Sequence, residues 1–196
     1  MAILLGTGTA GADSLVIAQQ LLGLGGGSLR GLATRPVGLP AGISGVGLAK
    51  ASRVSAALEL GRRLGIEGRE STRPIGSPAD VHVWCGPMLR DLAVEEFHVL
   101  TLDAQNRITR DLLITRGILN SSLVHPREVF RAAIAEAAAS VIVVHNHPSG
   151  QPAPSPDDRA VTVQLVEAGR VLDIPVYDHV IIGGDQYFSF AEAGLL

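Results

Sequence analysis

The chain has 196 residues, of which 46% are hydrophobic and 18% are charged, so it can bury a full core and a small second module. Its single cysteine, Cys85, excludes an internal disulfide and a multi-cysteine zinc cluster. No apolar run approaches the roughly 20 residues of a membrane span, and the apolar start at 1–5 lacks a basic leader. We therefore predict a cytoplasmic protein without membrane contact.

The net charge of −3 is unevenly distributed along the chain. Residues 1–75 carry 8 basic and 4 acidic side chains, a net charge of +4, whereas the remainder carries −7. This split favours two modules, of which only the first is compatible with nucleic-acid phosphates. A random fluctuation of surface charge is the alternative.

Residues 1–70 are rich in Gly, Ala and Leu, with helical spacing at 14–22 and 50–64, which predicts a small all-α module. A turn formed by Gly45 and Gly47 directly precedes the second helix, whose first N–H groups can hold a phosphate. This turn resembles the hairpin of a helix-hairpin-helix module, which implies binding to the DNA backbone without sequence specificity, and Lys50 and Arg53 would add charge contacts. The alternative is an ordinary turn between helices, in which glycine only permits a positive φ.

Arg, Ser, Pro and Gly then predict a linker at 71–76, ahead of a second module at 77–196. Its predicted helices end at Arg90 and cover 126–139 and 156–172, because proline fits the first helical turn. The predicted strands are 97–102, 107–115, 140–144, 174–182 and 186–190. The short β-branched run at 140–144 is typical of a strand buried on both faces. We expect a mixed α+β fold of the α/β class, with helices packed on a central sheet.

The most informative segment contains His145 and His147, followed by Ser155 and Asp158. Alternate side chains on a strand share a face, so the two imidazoles can point the same way. The loop after them returns to a helix that carries Asp158 in its first turn. Two imidazoles and a carboxylate suit one zinc ion and leave a fourth position for water.

Each part of this segment also has a simpler explanation. His-x-His pairs occur on ordinary surfaces, and Ser155 with Asp158 forms a capping box that needs no metal. The joint pattern His-x-His-x7-Ser-x2-Asp, placed between a buried strand and a helix, favours the metal site.

This complete pattern resembles the signature of the JAMM, or MPN+, metalloprotease domain. The resemblance implies a curved mixed sheet flanked by helices, layered as in cytidine deaminases. More narrowly, the chain resembles the bacterial RadC family in the runs at 43–51, 59–63, 125–128, 145–150, 154–155, 178–179 and 189–192. Members usually begin with one more helix, so the resemblance implies that the N-terminal module is truncated or that its start lies upstream.

The resemblance also implies roles for further residues. JAMM domains use a glutamate as general base, and the RadC pattern puts it two residues before a phenylalanine, so Phe97 selects Glu95 over Glu96. Ser155 would donate a hydrogen bond to the developing oxyanion. Asn146 and Ser149 are candidates for orienting the ligands. So are Asp178 and His179, although neighbouring side chains of a strand cannot both point into one site.

Three functions remain open at this point. The first is a zinc-dependent hydrolase, a metallopeptidase that acts on a peptide or protein substrate. The second is a DNA-associated protein, in line with the DNA-repair label traditionally attached to RadC, in which the zinc site is structural or processes DNA or DNA-bound protein. Direct phosphodiester cleavage is the third, but a single zinc with one base suits it less than a two-metal clamp.

Overall fold

The computed structural model describes residues 1–9, 11–64, 73–117 and 124–196. The chain divides into two compact units, Met1–Glu67 and Gly68–Leu196. The predicted linker at 71–76 lies partly outside the described residues, so the exact domain boundaries stay a prediction. In the described part of the chain, no helix combines the length and the apolar character that crossing a bilayer requires.

The N-terminal unit is helical, as the all-α prediction requires. Its helices are α1 (Ala2–Leu5), α2 (Ser14–Leu24), α3 (Leu29–Ala33), α4 (Gly38–Ala41) and α5 (Leu48–Leu64). Asp13 begins α2 by accepting hydrogen bonds from the first free backbone N–H groups, and Ser28 does the same for α3. The helices share one apolar core that includes Leu5, Ile17 and Leu21.

The C-terminal unit is a five-stranded mixed sheet with helices packed on it, which confirms the predicted mixed α+β class. Its elements are α6 (Pro78–Leu89), β1 (Glu96–Leu102), β2 (Ile108–Arg116), α7 (Pro126–Ala135), β3 (Ser140–Asn146), α8 (Pro156–Leu172), β4 (Val176–Gly183) and β5 (Gln186–Ser189). The strand order is β2-β1-β3-β4-β5. Only β3 and β4 are parallel, and the other neighbouring pairs are antiparallel.

The sheet carries an apolar core on each face. One core joins Phe97, Val99 and Val143 to residues of α7 and α8. The other core joins Leu100 and Val144 to residues of α6. Successive side chains of a strand point to opposite faces, which explains why neighbours in β1 and β3 belong to different cores. Every residue of β3 is buried, as its β-branched run predicts.

The ends of α7 and β3 differ from the sequence prediction, and the end of β3 affects the site. Helix α7 ends at Ala135 rather than near 139, because Ala137 takes a positive φ of 51° and Ala138 N–H donates to the Ala133 carbonyl. Strand β3 extends past Val144 through Asn146. This extension puts His145 inside the sheet, between β1 and β4.

Candidate metal centre

Strand β3 presents the two histidines of the motif on the face that α8 covers. His145 is fully buried and pairs in register with Phe97 of β1 and Ile181 of β4. His147 follows the strand end, and its N–H donates to the Ile182 carbonyl over 2.8 Å. This backbone bond continues the extended direction of β3, so the two Nε2 atoms meet at 3.0 Å.

Helix α8 returns the third group to the same point. Asp158 Oδ1 lies 3.1 Å from His145 Nε2, and its Oδ2 lies 3.4 Å from His147 Nε2. Among the described residues, these three side chains form the group that could hold a metal ion. Ligand atoms about 2.0 Å from a tetrahedral ion lie about 3.3 Å from one another, so the observed spacings fit such an ion.

The start of α8 fixes the orientation of the Asp158 carboxylate. Ser155 is the N-cap, and its backbone N–H and its hydroxyl both donate to Asp158 Oδ2 over 2.7 Å. The Ser155 hydroxyl oxygen in turn accepts from the Asp158 N–H. The capping box read from the sequence is therefore present, and it holds the carboxylate against the histidines rather than competing with a metal site.

A chain of hydrogen bonds assigns the tautomer of His145. Thr162 Oγ1 donates to the Asp158 carbonyl over 2.5 Å, so it must accept from His179 Nδ1 at 2.6 Å. His179 Nε2 then accepts from His145 Nδ1 at 2.8 Å. A neutral imidazole with its proton on Nδ1 has a lone pair on Nε2, and that lone pair points to the candidate metal position.

The loop after β3 determines the tautomer of His147 in the same way. His147 Nδ1 lies 2.8 Å from the Gln151 carbonyl, which can only accept, so Nδ1 donates and Nε2 carries the lone pair. Ser149 supports this loop, because its hydroxyl accepts from the Gln151 N–H. Two lone pairs 3.0 Å apart repel each other, and a cation between them removes that repulsion.

The electrostatics of the site agree with metal binding. Burial lowers the pKa of His145, whereas the Asp158 carboxylate, which can accept a hydrogen bond from the protonated His147 ring, raises the pKa of His147. Burial alone would raise the pKa of Asp158, but its bonds with the two histidines hold that pKa well below its usual range. Burial also keeps the pKa of His179 well below its ordinary value. An ionised carboxylate beside a neutral His145 is the state that metal binding requires.

Glu96 is the first residue of β1, and Glu95 directly precedes the strand. Glu96 is buried, and its carboxylate pairs with Arg116 at 2.6 Å and His98 at 3.1 Å, on the face away from His145. Burial lowers the pKa of His145 and the contact with Asp158 raises the pKa of His147, and the negative charge of Glu95 is a smaller influence that favours the protonated form of each. The structure therefore keeps the Glu96 carboxylate away from the candidate metal centre, and Glu95 as the general base stays a prediction.

The other residues singled out by sequence have separate roles. Asp178 faces away from the metal centre, where it accepts from the Ser189 hydroxyl over 2.7 Å, and burial raises its pKa. Asn146 contacts neither metal-site histidine through its amide, which instead bonds the backbone of Val94 and Glu96.

Sequence reasoning missed three groups that support the metal centre: Thr162, the Gln151 carbonyl and Gly183. A Cβ at Gly183 would lie 2.6 Å from the Pro152 nitrogen, so only glycine lets the loop pass this close to β4. The threonine four residues after Asp158 lies on the same helix face, which is the one local signal that was available.

The predicted DNA contacts have internal partners in the N-terminal unit. Lys50 Nζ donates to the Thr7 carbonyl over 2.6 Å, and Arg53 donates to the Leu4 carbonyl over 3.0 Å. Gly45 has a φ of +85°, and a Cβ there would lie 2.5 Å from the Thr9 side chain. Gly47 directly precedes α5. DNA binding by residues 1–70 stays a prediction, which salt-dependent retention of duplex DNA would test.

Comparison with known proteins identifies the C-terminal unit. Residues 75–195 match the family model described as a RadC-like JAB domain, which has a JAMM-type metal-binding hydrolase fold. The chain is 46% identical to a UPF0758 protein of Trichlorobacter lovleyi over 198 residues, covering all of this chain and 86% of that protein.

Two further relatives show the same relationship. A UPF0758 protein of Chloroflexus aurantiacus is 46% identical over 195 residues, covering all of this chain and 85% of that protein. One from Methanosarcina mazei is 46% identical over 154 residues, covering 79% of this chain and 67% of that protein. Because the domain match agrees with these similarities, two of which cover the whole chain, the chain belongs to the RadC family.

Proposed function

We propose that this protein is a zinc-dependent hydrolase, a metallopeptidase that cleaves amide or isopeptide bonds in a peptide or protein substrate. The observation that carries the proposal is the convergence of three neighbouring ligand atoms, with His145 Nε2 lying 3.0 Å from His147 Nε2 and 3.1 Å from Asp158 Oδ1. The hydrogen bonds that His145 and His147 make through Nδ1 leave the lone pairs of their Nε2 atoms free for an ion.

The donor set favours zinc over other common metals. Two imidazoles and one carboxylate match zinc sites of catalytic type, which keep a fourth position open. Zinc bound there would lower the pKa of water from 15.7 to about 7 and polarise a substrate carbonyl. The nitrogen ligands argue against magnesium and calcium, which prefer oxygen ligands only.

Glu95 is the proposed general base. Its carboxylate would take a proton from the attacking water and pass it to the leaving nitrogen of the cleaved bond. Two observations support this role: the charge of Glu95 acts on both histidines, and the carboxylate of the neighbouring Glu96 is engaged on the other face.

Ser155 is proposed to donate a hydrogen bond to the oxyanion that develops on the substrate. Its hydroxyl donates to Asp158 Oδ2 in the structure, and the Ser155 N–H donates to the same oxygen. The hydroxyl can therefore rotate to the substrate while the backbone bond continues to orient the carboxylate. This arrangement lets one residue both cap α8 and assist the reaction.

Metal analysis and cleavage of a peptide and isopeptide library would test the proposal together. We expect one zinc per wild-type chain, loss of zinc and cleavage in His147→Ala, and retention of zinc without cleavage in Glu95→Ala. His98→Ala and Glu96→Gln are matched controls, because they remove the same groups from the opposite face of the sheet, and both should keep zinc and activity. Equal zinc content in the wild type and His147→Ala would overturn the assignment.

A further inference from the structure

Asn146 lies between the two metal-site histidines in sequence but serves a different part of the site. It is fully buried in β3, and its side chain leaves the strand on the face opposite His145. The amide Nδ2 donates to the Val94 carbonyl over 3.1 Å, and Oδ1 accepts from the Glu96 N–H over 2.8 Å. One side chain therefore binds the two residues that flank Glu95.

The backbone of Glu95 is also held from the other side. Its carbonyl accepts a hydrogen bond of 2.9 Å from the N–H of Gly117, which follows β2. The regular pairing of β1 with β3 ends at Phe97 and His145, two residues after Glu95. Beyond that point the Asn146 amide replaces the missing strand contacts on the β3 side.

We propose that Asn146 is a positioning residue that clamps the Glu95 segment at the metal centre. This proposal rests on the proposed function, because it assumes that Glu95 acts on water there. The clamp links the base to the strand that carries both imidazole ligands, so ligands and base keep one relative geometry. Misplacing a catalytic group by about 1 Å can cost about 100-fold in rate, which makes such a link valuable.

The chemistry of the side chain explains why an amide is needed. The clamp requires a donor for the Val94 carbonyl and an acceptor for the Glu96 N–H on one short planar group. Asn146→Asp keeps the acceptor but turns an oxygen towards the Val94 carbonyl. Asn146→Ala removes both contacts and leaves the buried Glu96 N–H and the partly buried Val94 carbonyl without them. Asn146→Asp thus removes one of the two contacts, and Asn146→Ala removes both.

Amide exchange and zinc titration test the clamp without relying on activity. In 15N-labelled Asn146→Ala, we expect the Glu96 amide proton to exchange at least about tenfold faster than in the wild type, while zinc affinity changes by less than about threefold. Thr101→Val is the matched control, because it removes a partly buried hydrogen bond of 2.8 Å to Thr109 near the far end of β1. It should leave exchange at Glu96 unchanged.

Kinetics with a cleaved library peptide test the link to Glu95. Asn146→Ala should lower kcat by about 10- to 100-fold with little change in KM. Relative to the residual rate of Glu95→Gln, it should cause no further loss, because the base that it positions is already absent. Asn146→Asp should give an intermediate loss of kcat.

The outcomes separate this proposal from the proposed function. Unchanged exchange at Glu96, a tenfold or larger loss of zinc affinity, or full additivity with Glu95→Gln would overturn the positioning role of Asn146. Zinc binding without cleavage of any peptide by the wild type would count against the peptidase instead, and exchange at Glu96 would still decide whether the clamp exists.

Discussion

The two faces of the C-terminal sheet use histidine in opposite ways. On one face, His145 and His147 each donate from Nδ1 to an acceptor. Their unprotonated Nε2 atoms point towards a shared position. On the other face, His98 lies between two carboxylates, with Nδ1 2.7 Å from Asp111 and Nε2 3.1 Å from Glu96. The partners of each histidine therefore decide which ring nitrogen atoms can be free: Nε2 in His145 and His147, and neither nitrogen in His98.

The stabilisation of the folded protein by zinc should show the largest difference between the two faces. Because the ion binds only the folded site, we expect zinc at 100 times its Kd to stabilise the C-terminal unit by about 2.7 kcal/mol, and a chelator to reverse this. Urea unfolding with and without zinc would measure the effect. His147→Ala should lose the response and His98→Ala should keep it. A similar response in the two variants would contradict the assignment of the metal face.

The next largest expected effect is the loss of zinc affinity in Gly183→Ala. The added Cβ would collide with the backbone at Pro152 and displace the loop that supplies the Gln151 carbonyl to His147. We expect zinc affinity to fall by about 10- to 100-fold, as for other losses of ligand-orienting contacts. Competition with a chromogenic chelator would measure the affinity.

Gly76→Ala is the matched control for that experiment. A Cβ there would meet the Asp80 carboxylate at 3.7 Å, an ordinary contact distance. Its zinc affinity should match the wild type. An unchanged affinity in Gly183→Ala would mean that the loop does not orient His147.

A smaller effect is expected on the His98 face, where the stability of the folded protein should depend on pH. Burial alone would lower the pKa of His98, but its hydrogen bonds and ion pairs with Asp111 and Glu96 outweigh burial and raise the pKa above 6.5. A raised pKa in the folded state means that the stabilisation is complete below pH 6.5 and is lost as pH rises through the folded pKa. Urea unfolding of the zinc-loaded protein between pH 6 and 9 should show this loss.

His98→Gln provides the reference for the pH experiment. Its stability should fall less steeply with pH, because the titrating group is gone while a hydrogen-bonding side chain remains. Parallel curves for the wild type and His98→Gln would show that the carboxylates do not hold a proton on His98.

Local patterns in the sequence were enough for much of the sheet unit and for the core of the site. Proline at the first turn and a serine N-cap define α8 at Pro156–Leu172 as predicted, because capping is chemistry of neighbouring residues. The β-branched run before His145 predicted a strand buried on both faces, and the spacing from His145 to Asp158 predicted the group that could hold a metal.

Tertiary structure alone decided how that group is supported. The parallel register of β3 and β4 pairs Val143 with His179 and so brings the His179 ring behind His145, a contact between residues 34 positions apart. The same long-range packing brings Gly183 under the loop and Val94 and Glu96 to the Asn146 amide. Helix periodicity and capping act within a few residues, whereas strand register is fixed by packing across the whole sheet. The sequence by itself therefore determined the candidate ligands, and only the fold determined what orients them.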